Sequence, residues 1–312
     1  MSTLAPIALF LYNRPEHTKR TLEALAQCHL AKESILYIFC DGPKEPTNSE
    51  GINKIFETRA VAQSEKWCKE VVLKENDKNK GLANSIIDGV TEVVNKHGKI
   101  IVLEDDIIVS PYFLKYMNDG LDVYENEDAV ICIHAYNYPI PAGGIPDTFF
   151  MRGADCQGWA TWRRGWDLFE KDAVKLYNEI LNNGLEYDFN FKNSYPYSHM
   201  LKAQIDGHVD SWAIRWYASA FLAKKFTLYP NVSMIYNIGF DNSGTHSGEV
   251  DNFNNKGWNN KYQVVVKYAK PSRSNKIALK RWMYHFHKNN GNEPKRSFIY
   301  NNFTIKIIYL QF

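Results

Sequence analysis

The segment Ile100-Ile101-Val102-Leu103-Glu104-Asp105-Asp106 decides the fold, because an apolar run ends there abruptly in three adjacent carboxylates. Four consecutive apolar residues, most of them β-branched, are typical of a buried strand. Negative charge this dense is costly at the end of a buried strand unless a cation compensates it. We therefore predict that a divalent metal ion binds where this strand ends.

Short apolar runs alternate with helical patterns through the first half of the chain. Pro15 is predicted to open one helix, and Gly81 precedes another in which Leu82, Ile86 and Val90 share one face. Strands that alternate with helices predict an α/β fold with a mixed, mostly parallel sheet flanked by helices. The predicted strands are Ile7 to Tyr12, Ile35 to Cys40, Val71 to Leu73, Ile100 to Leu103 and Val130 to Ile133.

Polar residues follow three of these strands. The first strand runs into Asn13-Arg14, the second into Asp41-Gly42 and the fourth into Glu104-Asp105-Asp106. Turn formation or helix capping explains each group taken singly. Ligands bind beyond the carboxyl ends of strands in open sheets, however, and all three groups are expected at that edge.

The composition of the chain limits the classes of protein to which it can belong. The chain has 312 residues, 45% of them hydrophobic and 23% charged, which is ordinary for a globular protein. No stretch approaches the ~18 apolar residues of a membrane span, and no signal segment opens the chain, so we expect a cytoplasmic protein. The five scattered cysteines are interpreted as reduced core thiols: Cys28, Cys40, Cys68, Cys132 and Cys156.

The C-terminal part of the chain is basic and aromatic. From Lys270 onward it contains nine lysines and arginines but one acid, Glu293. This mixture suits an anionic membrane surface, and an ordinary packed helix with solvated lysines explains it equally well. No nucleic-acid-binding motif accompanies the charge, so we expect no nucleic acid partner.

Aromatic residues are concentrated after about Ser110. They can stack on sugar rings, although burial in the core is the usual fate of such side chains. We predict three parts: residues 1–109, which bind a nucleotide sugar, residues 110–250, which bind an acceptor, and the basic segment 251–312. The main clusters contain Trp159, Trp162, Trp166, Trp212, Trp216 and Tyr217.

The segment from Glu104 to Phe113, with its Glu-Asp-Asp motif and following Pro-Tyr-Phe, resembles the nucleotide-sugar domain of GT-A glycosyltransferases. It is similar to the corresponding segment of the N-acetylglucosaminyltransferase I family. Weaker similarity continues in Gln157-Gly158-Trp159 and Val209-Asp210-Ser211-Trp212, and the resemblance covers roughly residues 6 to 246. It implies a Rossmann-like GT-A fold and an inverting enzyme that uses a UDP-sugar and Mn²⁺ or Mg²⁺.

The resemblance also assigns roles at the donor site. Asp106 is expected to ligate the metal, with Glu104 and Asp105 near ribose and sugar. Alternation along the strand predicts that Glu104 and Asp106 point to the face opposite Asp105. Asp41 is expected to contact the uracil, and Arg14 the uracil or a phosphate. The predicted helix N-terminus that carries Lys80 and Asn84 suits phosphate or ribose.

Two further roles concern catalysis. Asp210 is the predicted general base that takes the proton of the acceptor hydroxyl, with Asp206 as a rival. A helix N-cap or an ion pair with Arg215 explains Asp210 nearly as well. His246, in a glycine-punctuated loop, is predicted to complete the metal site or to contact a phosphate.

These expectations describe a glycosyltransferase of polysaccharide biosynthesis. Its donor would be UDP-N-acetylglucosamine or a similar UDP-sugar. Its acceptor would be a glycan or a lipid-linked glycan, as in O-antigen or capsule assembly, at the inner face of the membrane. Two alternatives stay open: a sugar-phosphate nucleotidyltransferase and a non-catalytic protein that binds a nucleotide sugar or a glycan. The loop Asn13-Arg14-Pro15-Glu16 lacks the glycines that a nucleotidyltransferase would place there.

Overall fold

The computed structural model describes residues 3–46, 48–241, 258 and 261–289. The strands are β1 (Ile7–Leu11), β2 (Ile35–Cys40), β3 (Glu70–Glu75), β4 (Lys99–Glu104), β5 (Ile107–Val109), β6 (Val130–His134), β7 (Thr148–Arg152), β8 (Trp159–Trp162), β9 (Phe226–Pro230) and β10 (Ile235–Asn237). The helices are α1 (Pro15–Ala26), α2 (Ser49–Gln63), α3 (Leu82–His97), α4 (Phe113–Val123), α5 (Arg163–Trp166), α6 (Ala173–Asn182), α7 (Glu186–Phe189), α8 (Tyr197–Ile205), α9 (Trp212–Leu222) and α10 (Lys276–Asn289).

Eight strands form one mixed sheet in the order β3-β2-β1-β4-β8-β6-β9-β7. The pairs among β1 to β4 are parallel, as is β6 with β9, whereas β8 and β7 are antiparallel to their neighbours. Each predicted strand is present within one to two residues of its expected bounds, and α1 and α3 begin where Pro15 and Gly81 predicted. The predicted mixed, mostly parallel α/β sheet is therefore confirmed.

The register of the central strands brings their carboxyl ends together. Phe10 of β1 is paired with Glu104 of β4, and Leu11 is paired with Cys40 of β2. The residues that follow these strands therefore emerge at one edge of the sheet. The predicted convergence of Arg14, Asp41 and the acidic run on that edge is confirmed.

Alternation along the strands divides the core between the two faces of the sheet. Ile101 and Leu103 of β4 pack with the apolar sides of α1 and α4, whereas Ile100 and Val102 pack with α3 and α9. On the second face the tryptophan rings stack on one another rather than lying open to a ligand. The core interpretation is thus correct for Trp159, Trp166, Trp212 and Trp216.

Residues 276–289 of the basic segment form the packed helix α10. In α10 the side chains of Trp282, Met283 and Phe286 are buried. The centroid of the Trp282 ring lies 5.0 Å from the ring centroid of Tyr138 and 4.9 Å from that of Tyr229. For residues 276–289 the packed-helix alternative is therefore confirmed. Residues 290–312 of the basic segment lie outside the described residues, and membrane contact stays a prediction.

Two other expectations concern the cysteines and the membrane. All five cysteines are free; four are buried and Cys156 is half-buried. Burial raises the pKa of Cys28, Cys40, Cys68 and Cys132 to about 12, as expected of thiols in a core. Within the described ranges, no helix combines the length and apolar character needed to cross a bilayer.

We predict that Trp282→Ala lowers the free energy of unfolding by about 4 kcal/mol, because the removed indole is 1% exposed and leaves a cavity. Its Nε1 also donates a 3.0 Å hydrogen bond to Asn137 Oδ1, which the variant loses. Tyr284→Ala, on the exposed side of the same helix, should cost less than about 1 kcal/mol. Chemical denaturation of both variants measures the difference, and equal costs would show that α10 is not part of the core.

Candidate functional site

The centre of the candidate site is the side chain of Arg14, which lies between β1 and α1. Its guanidinium binds both oxygens of Asp105, with Nη2 on Oδ1 and Nε 3.2 Å from Oδ2. The same Nη2 donates a 3.0 Å hydrogen bond to Asp106 Oδ2. These three side chains are largely buried, with 15%, 6% and 17% of their surfaces exposed. An arginine therefore compensates part of the negative charge at the end of β4.

The expected alternation of the three carboxylates is wrong beyond the end of the strand. β4 ends at Glu104, and Asp105 and Asp106 form a turn before β5. In that turn the two aspartates reach the same guanidinium instead of opposite faces of the sheet. Strand geometry stops where the turn begins, so the period of two cannot be extended through it.

Charge crowding shifts the pKa values at the site. Burial, followed by repulsion from Asp106 and Asp105, raises the pKa of Glu104 to about 8. Burial raises the pKa of Asp105 to about 6, although Arg14 opposes the shift. Burial disfavours the charge of Arg14, but the two aspartates outweigh it and hold its pKa above the ordinary value. The site thus holds more negative charge than its one arginine balances.

A second chain segment closes over Asp106. β10 pairs antiparallel with β5, and Ile238 N continues the pairing with a 2.9 Å hydrogen bond to Asp106 O. Any side chain at Gly239 would collide with the Asp106 carboxylate, so glycine permits this close approach. His17 Nε2 lies 3.1 Å from Asp241 Oδ2 at the end of this segment. His246 follows it in sequence and lies outside the described residues.

Asp41 organises the neighbouring part of the edge. Its carboxylate accepts hydrogen bonds from the backbone N–H groups of Gly42, Lys80 and Gly81, at 2.9 to 3.1 Å. These bonds hold the turn that opens α3, where Asn84 Nδ2 donates to Lys80 O at 2.9 Å. The Lys80 ammonium lies 3.3 Å from Asp88. Asp41 therefore builds the start of α3, and its contact with a base stays a prediction.

The predicted base Asp210 does not contact the Arg14 cluster. Its Oδ1 accepts a 2.9 Å hydrogen bond from Arg215 Nη2, which is the ion pair weighed as an alternative, and its side chain is 58% exposed. The alternative that Asp210 caps the helix is wrong, because Ser211 Oγ caps α9 by accepting from Ile214 N. Asp206 ends α8 and pairs with Lys202.

Sequence reasoning missed three polar residues at this edge. Thr21 Oγ1 donates to Asp105 O at 2.7 Å, and His17 meets the segment that covers Asp106. His17 and Thr21 lie on α1, three and seven residues after Arg14. At these spacings a helix returns to the same face. The third is Asp155, two residues before Gln157-Gly158-Trp159. Its half-burial identifies it in the structure, and no sequence pattern predicts that half-burial.

The carboxylate oxygens at Asp106 are the type of ligand that a hard divalent cation prefers. Among the described residues, no three His, Cys, Asp or Glu side chains converge on a common point. Magnesium is commonly held by one or two carboxylates, with substrate phosphates and water supplying its other ligands. Asp106 Oδ2 is bound by Arg14, whereas Asp106 Oδ1 has no hydrogen-bond partner among the described residues. One carboxylate oxygen is thus free for such a cation.

Comparison with known proteins gives distant structural similarity alone. No family model matches the chain, and no curated protein matches it in sequence. Similar solved structures include TarS of S. aureus, with 12% identity and a TM-score of 0.30 over 46% of this chain and 24% of TarS. The chain thus spans about a quarter of the length of TarS.

Two other similar structures were solved with nucleotide ligands. One is glucosyl-3-phosphoglycerate synthase from Mycobacterium tuberculosis, with Mn²⁺, UDP and glucosyl-3-phosphoglycerate. It is 10% identical over 58% of this chain and 67% of that one, with a TM-score of 0.33. A UDP-glucose pyrophosphorylase with UDP-glucose is 11% identical over 53% of this chain and 79% of that one, with a TM-score of 0.30. Similarity at this level does not assign the chain to a family.

We predict that Glu104→Gln becomes progressively more stable than the native chain as pH rises from 5 to 8.5. The folded chain holds the Glu104 proton up to about pH 8, whereas an unfolded glutamate loses it near pH 4, so this group destabilises the fold as pH rises. The gain should reach up to about 4 kcal/mol at pH 8.5. Chemical denaturation with a chelator present measures it.

Glu65→Gln, an exposed glutamate between α2 and β3, is the matched control. Its stability relative to the native chain should not change over the same pH range. A pH-independent difference for Glu104→Gln would contradict the raised pKa.

Proposed function

We propose that this chain is a divalent-metal-dependent, inverting glycosyltransferase. It would transfer a sugar from a UDP-sugar, UDP-N-acetylglucosamine or a similar donor, to a glycan or a lipid-linked glycan. The observation that carries the proposal is the cluster of Arg14, Asp105 and Asp106 at the carboxyl ends of the parallel strands β1 and β4. Ligands of open α/β sheets bind at that edge, and this is where the chain concentrates its buried charge.

Both signs of charge at the cluster suit a diphosphate. The Arg14 guanidinium has five N–H donors in a planar fork that matches phosphate oxygens. A cation bound through Asp106 would neutralise charge that develops on the departing diphosphate. Asp105 would keep Arg14 in place through its two hydrogen bonds, and Glu104 would face the sugar or ribose.

The start of α3 suits the nucleoside end of the donor. The 16-residue helix presents its N-terminus at the sheet edge, where Asp41 fixes the turn that leads into it. Asn84 lies exposed on the first turn of this helix and can donate to ribose or base oxygens. Lys80 is exposed as well, and its pairing with Asp88 leaves the ammonium at the surface.

Transfer requires a base on the acceptor side of the sugar. The acceptor hydroxyl attacks the anomeric carbon, its O–H proton passes to a carboxylate, and UDP leaves with the bonding electrons. Inversion, which the sequence resemblance implies, needs one such carboxylate opposite the leaving group. Asp210, through the Asp-Ser-Trp resemblance, stays the sequence-based candidate for this role. Its exposed carboxylate leaves Oδ2 available beside the Arg215 pair.

We predict that UDP binds the native chain in the presence of Mn²⁺ and that Asp106→Asn weakens this binding at least tenfold. The variant keeps the shape of the side chain but removes the charge that would hold the cation. Isothermal titration of UDP, with Mn²⁺ and with a chelator, measures the difference. Asp119→Asn, a partly exposed aspartate paired with Lys115 on α4, is the control and should bind UDP as the native chain does.

The alternative functions, a nucleotidyltransferase and a non-catalytic binding protein, predict different results for the same protein samples. Equal UDP affinity for the native chain and Asp106→Asn would contradict the proposed cation site. Release of pyrophosphate from UTP and a sugar 1-phosphate would indicate a nucleotidyltransferase. Tight donor binding without UDP release from any donor or acceptor mixture would indicate a non-catalytic binding protein.

A further inference from the structure

Asp155 is a carboxylate for which the donor site has no role, although it lies at the same edge of the sheet. It belongs to the loop of residues 153–158 that joins β7 to β8. Because β8 is antiparallel to β4, with Trp159 paired to Val102, the residues before Trp159 continue alongside the end of β4. The half-buried Cys156 thiol is close to both groups. Burial is the main cause of its raised pKa, and the charges of Asp155 and Glu104 add to it.

No charged partner among the described residues neutralises Asp155. Its one basic neighbour within 4.0 Å is His134, whose Nε2 lies 3.8 Å from Asp155 Oδ1. His134 Nε2 accepts a hydrogen bond from Gln157 N, so Nδ1 carries the proton and donates to Tyr136 O. Burial lowers the pKa of His134 and keeps the ring neutral. Within the described part of the chain, Asp155 therefore lacks the cationic partner that Asp105, Asp106 and Asp210 have.

The Asp155 carboxylate is held in place and yet remains accessible. Oδ1 accepts a 2.8 Å hydrogen bond from Cys156 N, and Oδ2 lies 3.3 Å from the hydroxyl of Tyr229, which donates to it. Its side chain is 24% exposed, so a ligand hydroxyl can reach the remaining lone pairs. A fixed carboxylate with free acceptor capacity is what general-base catalysis requires.

Five tyrosines interact electrostatically with this carboxylate, and among them Tyr229 is hydrogen-bonded to it. The negative charge of Asp155 contributes to the raised pKa of each of them, after the larger effect of burial, so their hydroxyls lie within its electrostatic reach. Tyr138, Tyr217 and Tyr229 are buried in the core, whereas Tyr195 and Tyr197 are partly exposed. Exposed tyrosine rings pack on the apolar faces of sugars, and their hydroxyls bind sugar hydroxyls. The tyrosines are Tyr138, Tyr195, Tyr197, Tyr217 and Tyr229.

The loop that carries Asp155 also contains an unpaired polar atom, on Gln157. Gln157 Oε1 is buried and has no hydrogen-bond partner among the described residues, two positions after Asp155. A buried amide oxygen without a partner costs stability, and it is retained most readily where a bound ligand supplies the missing donor. Gln157 thus provides a second observation that points to a hydroxyl-bearing ligand beside Asp155.

We propose that Asp155 is the catalytic base of this enzyme and that the partly exposed Tyr195 and Tyr197 contact a sugar of the acceptor. This inference rests on the proposed glycosyltransferase function. The acceptor O–H bond breaks and its proton passes to Asp155, while the acceptor oxygen forms a bond to the anomeric carbon of the donor. The bond from that carbon to the diphosphate breaks, and UDP leaves with the electron pair. Gln157 orients the acceptor, and Tyr229 fixes the carboxylate.

The test compares turnover with donor binding in the full chain. UDP release from UDP-N-acetylglucosamine, UDP-glucose and UDP-galactose is measured with Mn²⁺ and with water as the acceptor. Asp155→Asn should release UDP at least 100-fold more slowly, within the usual range of a lost general base, while its affinity for UDP changes less than about threefold. Asp167→Asn, an exposed aspartate after α5, is the control and should match the native chain in both.

Two further variants separate catalysis from structure. Formate should restore part of the rate to Asp155→Ala but not change the native rate, because a small carboxylate can replace the missing base and cannot repair a misfolded loop. Asp210→Asn, the rival, is measured in parallel, and we expect its rate to exceed that of Asp155→Asn at least tenfold.

A rate for Asp155→Asn equal to or above that of Asp210→Asn, or no formate effect, would overturn the assignment of Asp155. Failure of the native chain to bind UDP or release it from any of the three donors contradicts the proposed function itself. In that case the role of Asp155 as base is rejected as well. If Asp155→Asn loses UDP release but keeps its affinity for UDP, the donor site is intact.

Discussion

The contact of Arg14 with Asp105 and Asp106 is the constraint on which the rest of the structure depends. Two parallel strands, β1 and β4, end next to each other in register, and one delivers a guanidinium while the other delivers carboxylates. Removing one partner of a buried pair typically costs about 3 to 5 kcal/mol, because the other charge stays buried and uncompensated. The pair therefore fixes the path of the chain as it enters α1 and as it leaves β4.

The remaining elements are arranged around that charge. β10 returns to pair with β5 and places Gly239 against Asp106, which covers one side of the cluster. Asp41 holds the start of α3 through backbone hydrogen bonds and so builds a polar surface along the same edge. On the far side, β8 runs antiparallel to β4 and brings Asp155 toward Glu104. The proposed donor and acceptor sites thus meet where the direction of the strands changes.

Sequence patterns predicted the fold well because burial on both faces gives strands such as Ile35–Cys40 and Ile100–Leu103 an unmistakable apolar run. They also predicted which residues end at the ligand edge, since parallel strands must finish together. They could not predict that Arg14 binds Asp105 and Asp106, because that contact spans about ninety residues of sequence and depends on a turn. Asp155 was missed because only the antiparallel insertion of β8 brings its loop to the site.

The central claim is that the carboxyl edge at Asp106 binds a cation together with a nucleoside diphosphate. The most direct measurement is diffraction from crystals grown with UDP and Mn²⁺, recorded where manganese scatters anomalously. We predict an anomalous peak in contact with the Asp106 carboxylate and UDP density at the start of α3. A manganese peak elsewhere, or UDP bound away from this edge of the sheet, would contradict the account.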